Sequence, residues 1–203
     1  PRGGSRITTK LYGNVKGLRS SEQKALERLY GRRLDPSRLV TGDLARELAQ
    51  IATETSRQVG VLLSRRGAVE YVIVGTPQAL ELPEIGRFRA GAGRLRGLRL
   101  IHVHLHDEPL ATDDLTDLSL LALDAVAVIR WTPGTLEPLV SWAHLLPENP
   151  EGRHWEIHAD LPAHRIDEDF PAFIREIEGE IGRKASVLDA DSTGERAFLV
   201  HLA

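Results

Sequence analysis

Residues 98–129 read LRLIHVHLHDEPLATDDLTDLSLLALDAVAVI, and their pattern sets the fold class. The first eight residues alternate and are rich in branched apolar side chains, which predicts a strand over "LRLIHVHL". Thr112 stands at a cap position before "DDLTDLSLLAL", and acidic residues in a first turn suit the positive end of a helix dipole. "DAVAVIRW" then reads as a strand buried on both faces. Preceded by a helix and a hairpin, this strand, helix and strand argue for an α/β fold with a mixed sheet.

Working outward, "VGVLLS" and "AVEYVIVG" flank the turn "RRG", a hairpin pattern. Two helices are predicted before it. Ser20 and Gln23 have the spacing of a capping box, with Ala25, Leu26, Leu29 and Tyr30 at helical period, and Gly31 and Pro36 closing the segment. Thr41 caps "GDLARELAQIATETSRQ", whose inner stripe is Leu44, Leu48, Ile51, Ala52 and Thr55. "RITTKLYGN" is a short strand or arm, and "TLEPLVSWAHLL" and "HWEIHA" are further strands. Asp167 caps a helix over "EDFPAFIREIEGEIGRK", and "ERAFLVHLA" closes the chain as a strand. The fold expected is α/β: a mixed sheet flanked by helices, as a single main domain over residues 7–160. Residues 1–6 ("PRGGSR") read as a tag or tail, 161–195 as a linker helix, and 196–203 as the first strand of a following domain.

The 203 residues carry a net charge of only −3, unevenly split. Residues 1–100 hold 19 Lys/Arg against 9 Asp/Glu, whereas residues 101–203 hold 7 against 20 along with all eight histidines. There is no cysteine, which excludes disulfides, thiol catalysis and thiolate metal ligands and suits a cytoplasmic location. No apolar run reaches the eighteen or so residues that span a bilayer. No G-x-S-x-G elbow is present.

Several strings resemble the long-form HflX family of translational GTPases: "GLRSSEQKALERLYGRRL", "QVGVLLSRRGAVEYVIVG", "GRLRGLRLIHVHL", "EPLATDDLTDLSLLALDAVAVI", "LLPENPEG" and "DEDFPAFIREIEGEI", in that order over residues 7–203. The resemblance implies an N-terminal extension domain of a ribosome-associated GTPase, with ribosomal RNA and the protein's own G domain as partners. GTP and magnesium belong to the G domain only. The phosphate loop G-x-x-x-x-G-K-[ST] is missing here; the nearest string, "GEIGRKAS", has Arg183 between its glycine and Lys184. This chain is expected neither to bind nor to hydrolyse GTP.

Two stretches carry candidate chemistry. In "GRFRAGAGRLRGLR" (86–99), Arg87, Arg89, Arg94, Arg96 and Arg99 alternate with glycines, a pattern that suits RNA phosphates; Arg32–Arg33 and Arg65–Arg66 can join it. The competing reading is a solvated loop paired to the acidic half of the chain. In the second stretch, His102, His104 and His106 share one face of the expected strand, roughly 6.5–7 Å apart along it. Together with Asp114, His102 and His104 form an N/O donor set suited to zinc. The competing reading is hydrogen bonding to Asp113, Asp114 or backbone, with no ion. The string H-x-H…P-x-x-x-x-D-L resembles JAMM/MPN metallopeptidases, in which a glutamate at an earlier strand activates water. Here Arg57 and Gln58 stand in the place of that glutamate, and Ala111 in the place of a serine, so hydrolysis is not expected to survive. Trp131, Trp142 and His144 are expected in the core, and the strand "EYVIVG" is a candidate edge for pairing between copies.

Overall fold

The computed structural model describes residues 11–82, 95, 97–121, 123–132, 135–145 and 155–162. The segments 1–10 and 163–203, with the expected tag, linker helix and final strand, lie outside the described residues, as do Arg87, Arg89, Arg94 and Arg96.

The described residues form an α/β domain. Its elements are β1 (Leu11–Gly13), α1 (Ser20–Leu29), α2 (Gly42–Thr55), β2 (Val59–Ser64), β3 (Val69–Val74), β4 (Leu98–His104), α3 (Thr112–Leu120), β5 (Ala125–Arg130), β6 (Leu139–Leu145) and β7 (Trp155–Pro162). Seven strands make one sheet in the order β1-β3-β2-β4-β5-β6-β7. Pairs β1–β3 and β4–β5 are parallel and the others antiparallel, so the sheet is mixed. The parallel pair β4–β5 is joined through α3.

Period-two alternation divides the side chains between two cores. Val59, Val61, Leu63, Ile101, Val103, Ala127, Ile129, Val140 and Trp142 pack with α1 and α2 on one face. Leu62, Leu98, Leu100, Val126 and Ala143 pack with Leu118 and Leu123 on the other, beneath α3. The α2 stripe is buried through Leu44, Leu48, Ile51 and Ala52, and Thr41 Oγ1 accepts the Leu44 N–H at 3.2 Å, the cap expected there.

Four local expectations are corrected. Helix α1 is capped at Arg19 rather than Ser20, because Glu22 closes the turn by accepting the Arg19 N–H at 2.7 Å. Helix α3 is capped at Ala111 rather than Thr112, for the same kind of reason: Asp114 accepts the Ala111 N–H at 2.7 Å. The C-terminal half of "EYVIVG" is not an open edge, since β1 covers Val72–Val74. Trp142 and His144 are buried with ring centroids 5.3 Å apart, while Trp131 remains 39% exposed past the end of β5.

Candidate metal centre

Strand β4 changes character along its length. Leu98 and Leu100 face the α3-side core, and the same parity then presents His102 and His104. Both imidazoles are buried. The strand ends at His104, so His106 leaves the face and is exposed in the following loop. Asp114 reaches the histidines from the first turn of α3, buried beside them.

The three side chains converge. His102 Nε2 lies 3.0 Å from Asp114 Oδ1 and 3.0 Å from His104 Nε2, and His104 Nε2 lies 3.6 Å from Asp114 Oδ2. One donor atom from each residue falls within 4.8 Å of the other two, a grouping that can hold a metal ion. Tetrahedral zinc with ligands at roughly 2.0–2.1 Å spaces its donors by about 3.3 Å. The observed separations bracket that edge.

Hydrogen bonding outside the triangle fixes part of it. His104 Nδ1 is 3.0 Å from the Glu108 carbonyl, which can only accept. A proton therefore sits on Nδ1, and Nε2 faces His102 and Asp114, donating to the carboxylate when the ring is charged and offering a lone pair when it is neutral. The Ala111 N–H occupies Asp114 Oδ2 and leaves Oδ1 turned to His102. His102 Nδ1 is buried without a hydrogen-bond partner among the described residues. A proton on His102 Nε2 can serve the atoms that converge here, and so can a cation held between them.

The electrostatics agree. Burial works to raise the Asp114 pKa, but hydrogen bonds from His102 and His104 override it and hold the carboxyl well below its usual range. Burial works to lower the His104 pKa, and the Asp114 carboxylate outweighs it, so the pKa is raised. Asp117, one turn beyond Asp114, is raised by burial and then by the Asp114 charge.

The triad opens into a cleft of about 550 Å³ lined also by Gln58, Leu80, Leu82, Leu100, Glu108, Asp113 and Asp117. It sits at the carboxyl ends of the parallel pair β4–β5, where open α/β sheets bind ligands. The loop from β4 to α3 is held on two sides. Arg130 Nη1 donates to Asp107 Oδ1 at 2.6 Å, and the Leu110 N–H donates to Ser141 Oγ at 3.3 Å.

Arg99, expected among the arginines that suit RNA phosphates, is turned into the core instead. It is 4% exposed on the α1/α2 side, and its guanidinium donates to the carbonyls of Pro36, Arg38 and Ser64. Burial pushes its pKa down to about 10, which still leaves it charged at neutral pH. Arg65 is also engaged: it grips Asp124 through Nε at 2.6 Å and Nη2 at 2.9 Å, while Asp124 accepts the Gly97 N–H at 3.0 Å. Arg32 pairs with Glu47.

Gln58 is the site residue whose weight the sequence did not show. It is visible at the start of a strand, but its burial in the cleft depends on strand order. Compared with known protein families, curated proteins and solved structures, the chain matches none. Among the described residues no helix is long and apolar enough to cross a membrane.

Proposed function

We propose that the chain is a metal-holding accessory domain in which His102, His104 and Asp114 take a zinc ion, in a cleft that binds a ligand without hydrolysing it. The donor triangle carries this reading: two imidazole nitrogens and a carboxylate oxygen at near-tetrahedral spacing, buried and partly fixed by outer hydrogen bonds. Nitrogen and oxygen donors of this kind suit zinc, and three protein ligands leave a position for an outside ligand. Bound there, zinc would supply Lewis acidity and a coordination position.

Hydrolysis would need a base beside that position. Gln58 stands at the strand start where the JAMM-like pattern has glutamate, and a carboxamide takes no proton at neutral pH. The HflX-like strings supply the setting: a cytoplasmic, ribosome-associated GTPase, whose G domain and ribosomal RNA are the partners. Arg87, Arg89, Arg94 and Arg96 remain the residues proposed to meet RNA.

Elemental analysis of the purified chain tests the metal. Near one zinc per chain is expected, and its loss in both His104→Ala and Asp114→Ala. Metal-free wild-type protein that refuses added zinc would sink the reading.

A further inference from the structure

Gln58 precedes β2 by one residue, and the sheet register places it. Gly60 pairs with His102, and Leu62 packs in the α3-side core. Alternation therefore puts Gln58 and Gly60 on the face that carries the two histidines. Continued two residues beyond Gly60, the antiparallel register sets Gln58 opposite His104. Gly60 keeps the space between them clear: a Cβ there would stand 2.9 Å from His102 Cβ and 2.9 Å from Leu80 Cδ2.

Gln58 is 6% exposed and lines the cleft with His102, His104 and Asp114. Its main chain is satisfied, the N–H by Thr76 and the carbonyl by Gly75. Its carboxamide opens to the cleft, and no described residue takes a hydrogen bond from it or gives it one. A buried group with two N–H donors and a carbonyl acceptor normally meets a partner. The space available to that partner is the cleft, beside the coordination position that three protein ligands leave open.

We propose that Gln58 holds the outside ligand of the metal centre, and that this ligand is a neutral oxygen donor rather than an oxoanion. The inference rests on the metal reading above. A carboxamide suits a neutral oxygen ligand, because it donates to an oxygen and accepts from a neighbouring N–H or O–H. The cleft disfavours an anion, since Glu81, Glu108, Asp113 and Asp117 line it and no Lys or Arg stands among its described lining residues.

The test uses the full chain loaded with Co(II), and two small probes of nearly equal shape, acetamide and acetate. Paramagnetic broadening of the probe's methyl resonance reports its approach to the metal, and the Co(II) visible bands report the donor triangle. Acetamide is expected to broaden several-fold more than acetate. Gln58→Met, of similar volume, should cut the acetamide effect by roughly three- to tenfold, the factor carried by one hydrogen bond, with the Co(II) bands unchanged. Gln58→Asn, which draws the amide back by one methylene, should lose part of it. A preference for acetate, or wild-type broadening in both variants, overturns the proposal while leaving the metal reading in place. Failure of the wild-type chain to take up Co(II) overturns both.

Discussion

The face of the sheet under α1 and α2 is apolar along most of its length, with Arg99 and His144 as its buried polar side chains on β4 and β6, whereas the face under α3 is apolar at one end and polar at the other. On the first, β4 offers Ile101 and Val103, and β5 offers Ala127 and Ile129, all buried against two helices. On the second, Leu98 and Leu100 give way to His102 and His104, and Val126 gives way to Arg130. The same strands make both faces. The difference lies in cover: the nine-residue α3 shields only the Leu98–Leu100 end, and its N-terminus brings Asp114 to the other. One face is therefore built for stability, and the other divides its length between packing and a site.

The largest effect should come from the apolar face. Leu48 is fully buried, so Leu48→Ala is expected to cost about 2–5 kcal/mol in urea unfolding. Zinc per folded chain should stay at the wild-type value. Zinc loss beyond the unfolded fraction would show that the two faces are coupled. Asp114→Asn is the converse experiment. It keeps an oxygen to accept the Ala111 N–H but removes the anion, and zinc affinity should fall by more than about 100-fold, beyond what loss of an outer partner costs. The unfolding midpoint of the metal-free protein should move less than in Leu48→Ala.

The smallest effect is a pH dependence of the metal-free protein. Asp114 has a lowered pKa when folded, so its contribution is complete above the ordinary carboxylate value and is lost as pH falls through the folded one. His104 has a raised pKa, so its contribution is complete below about pH 6.5 and is lost as pH rises through the folded value. Stability should peak between roughly pH 4 and 6.5 without metal. Saturating zinc should reverse the alkaline decline, because its ligands bind deprotonated. Thermal melts across pH, with and without zinc, check the sign; His104→Gln should flatten the alkaline limb.

Periodicity made the strands and helices of the described region legible, and a three-residue window of strand made His102 and His104 neighbours on one face. Asp114 was legible too, because it stands ten residues after His104 near the start of the helix that follows the strand. What stayed hidden depends on distant partners or on competing local bonds. Arg65 meets Asp124 across 59 residues, which no spacing reveals. Ser20 lost the cap of α1 because Glu22, not Gln23, turns back on the preceding residue. Arg99 shares the parity of Ile101 and Val103, so its inward turn was readable from alternation once the sheet was known to be covered on that face. Gln58 needed the strand order.

The donors of the triad lie between residues 102 and 114, twelve positions apart in the chain. A segment that short closes on itself in roughly 10–100 ns in an unfolded chain, at little entropic cost. An ion gripping it would therefore remove few conformations from the unfolded ensemble. Its effect on stability would follow mass action instead, growing with the logarithm of free metal and reaching about 2.7 kcal/mol at a hundred times the dissociation constant. Tightness of the folded state would then track metal supply, while the folding route through the hairpin and the two helices of the apolar face would stay the same.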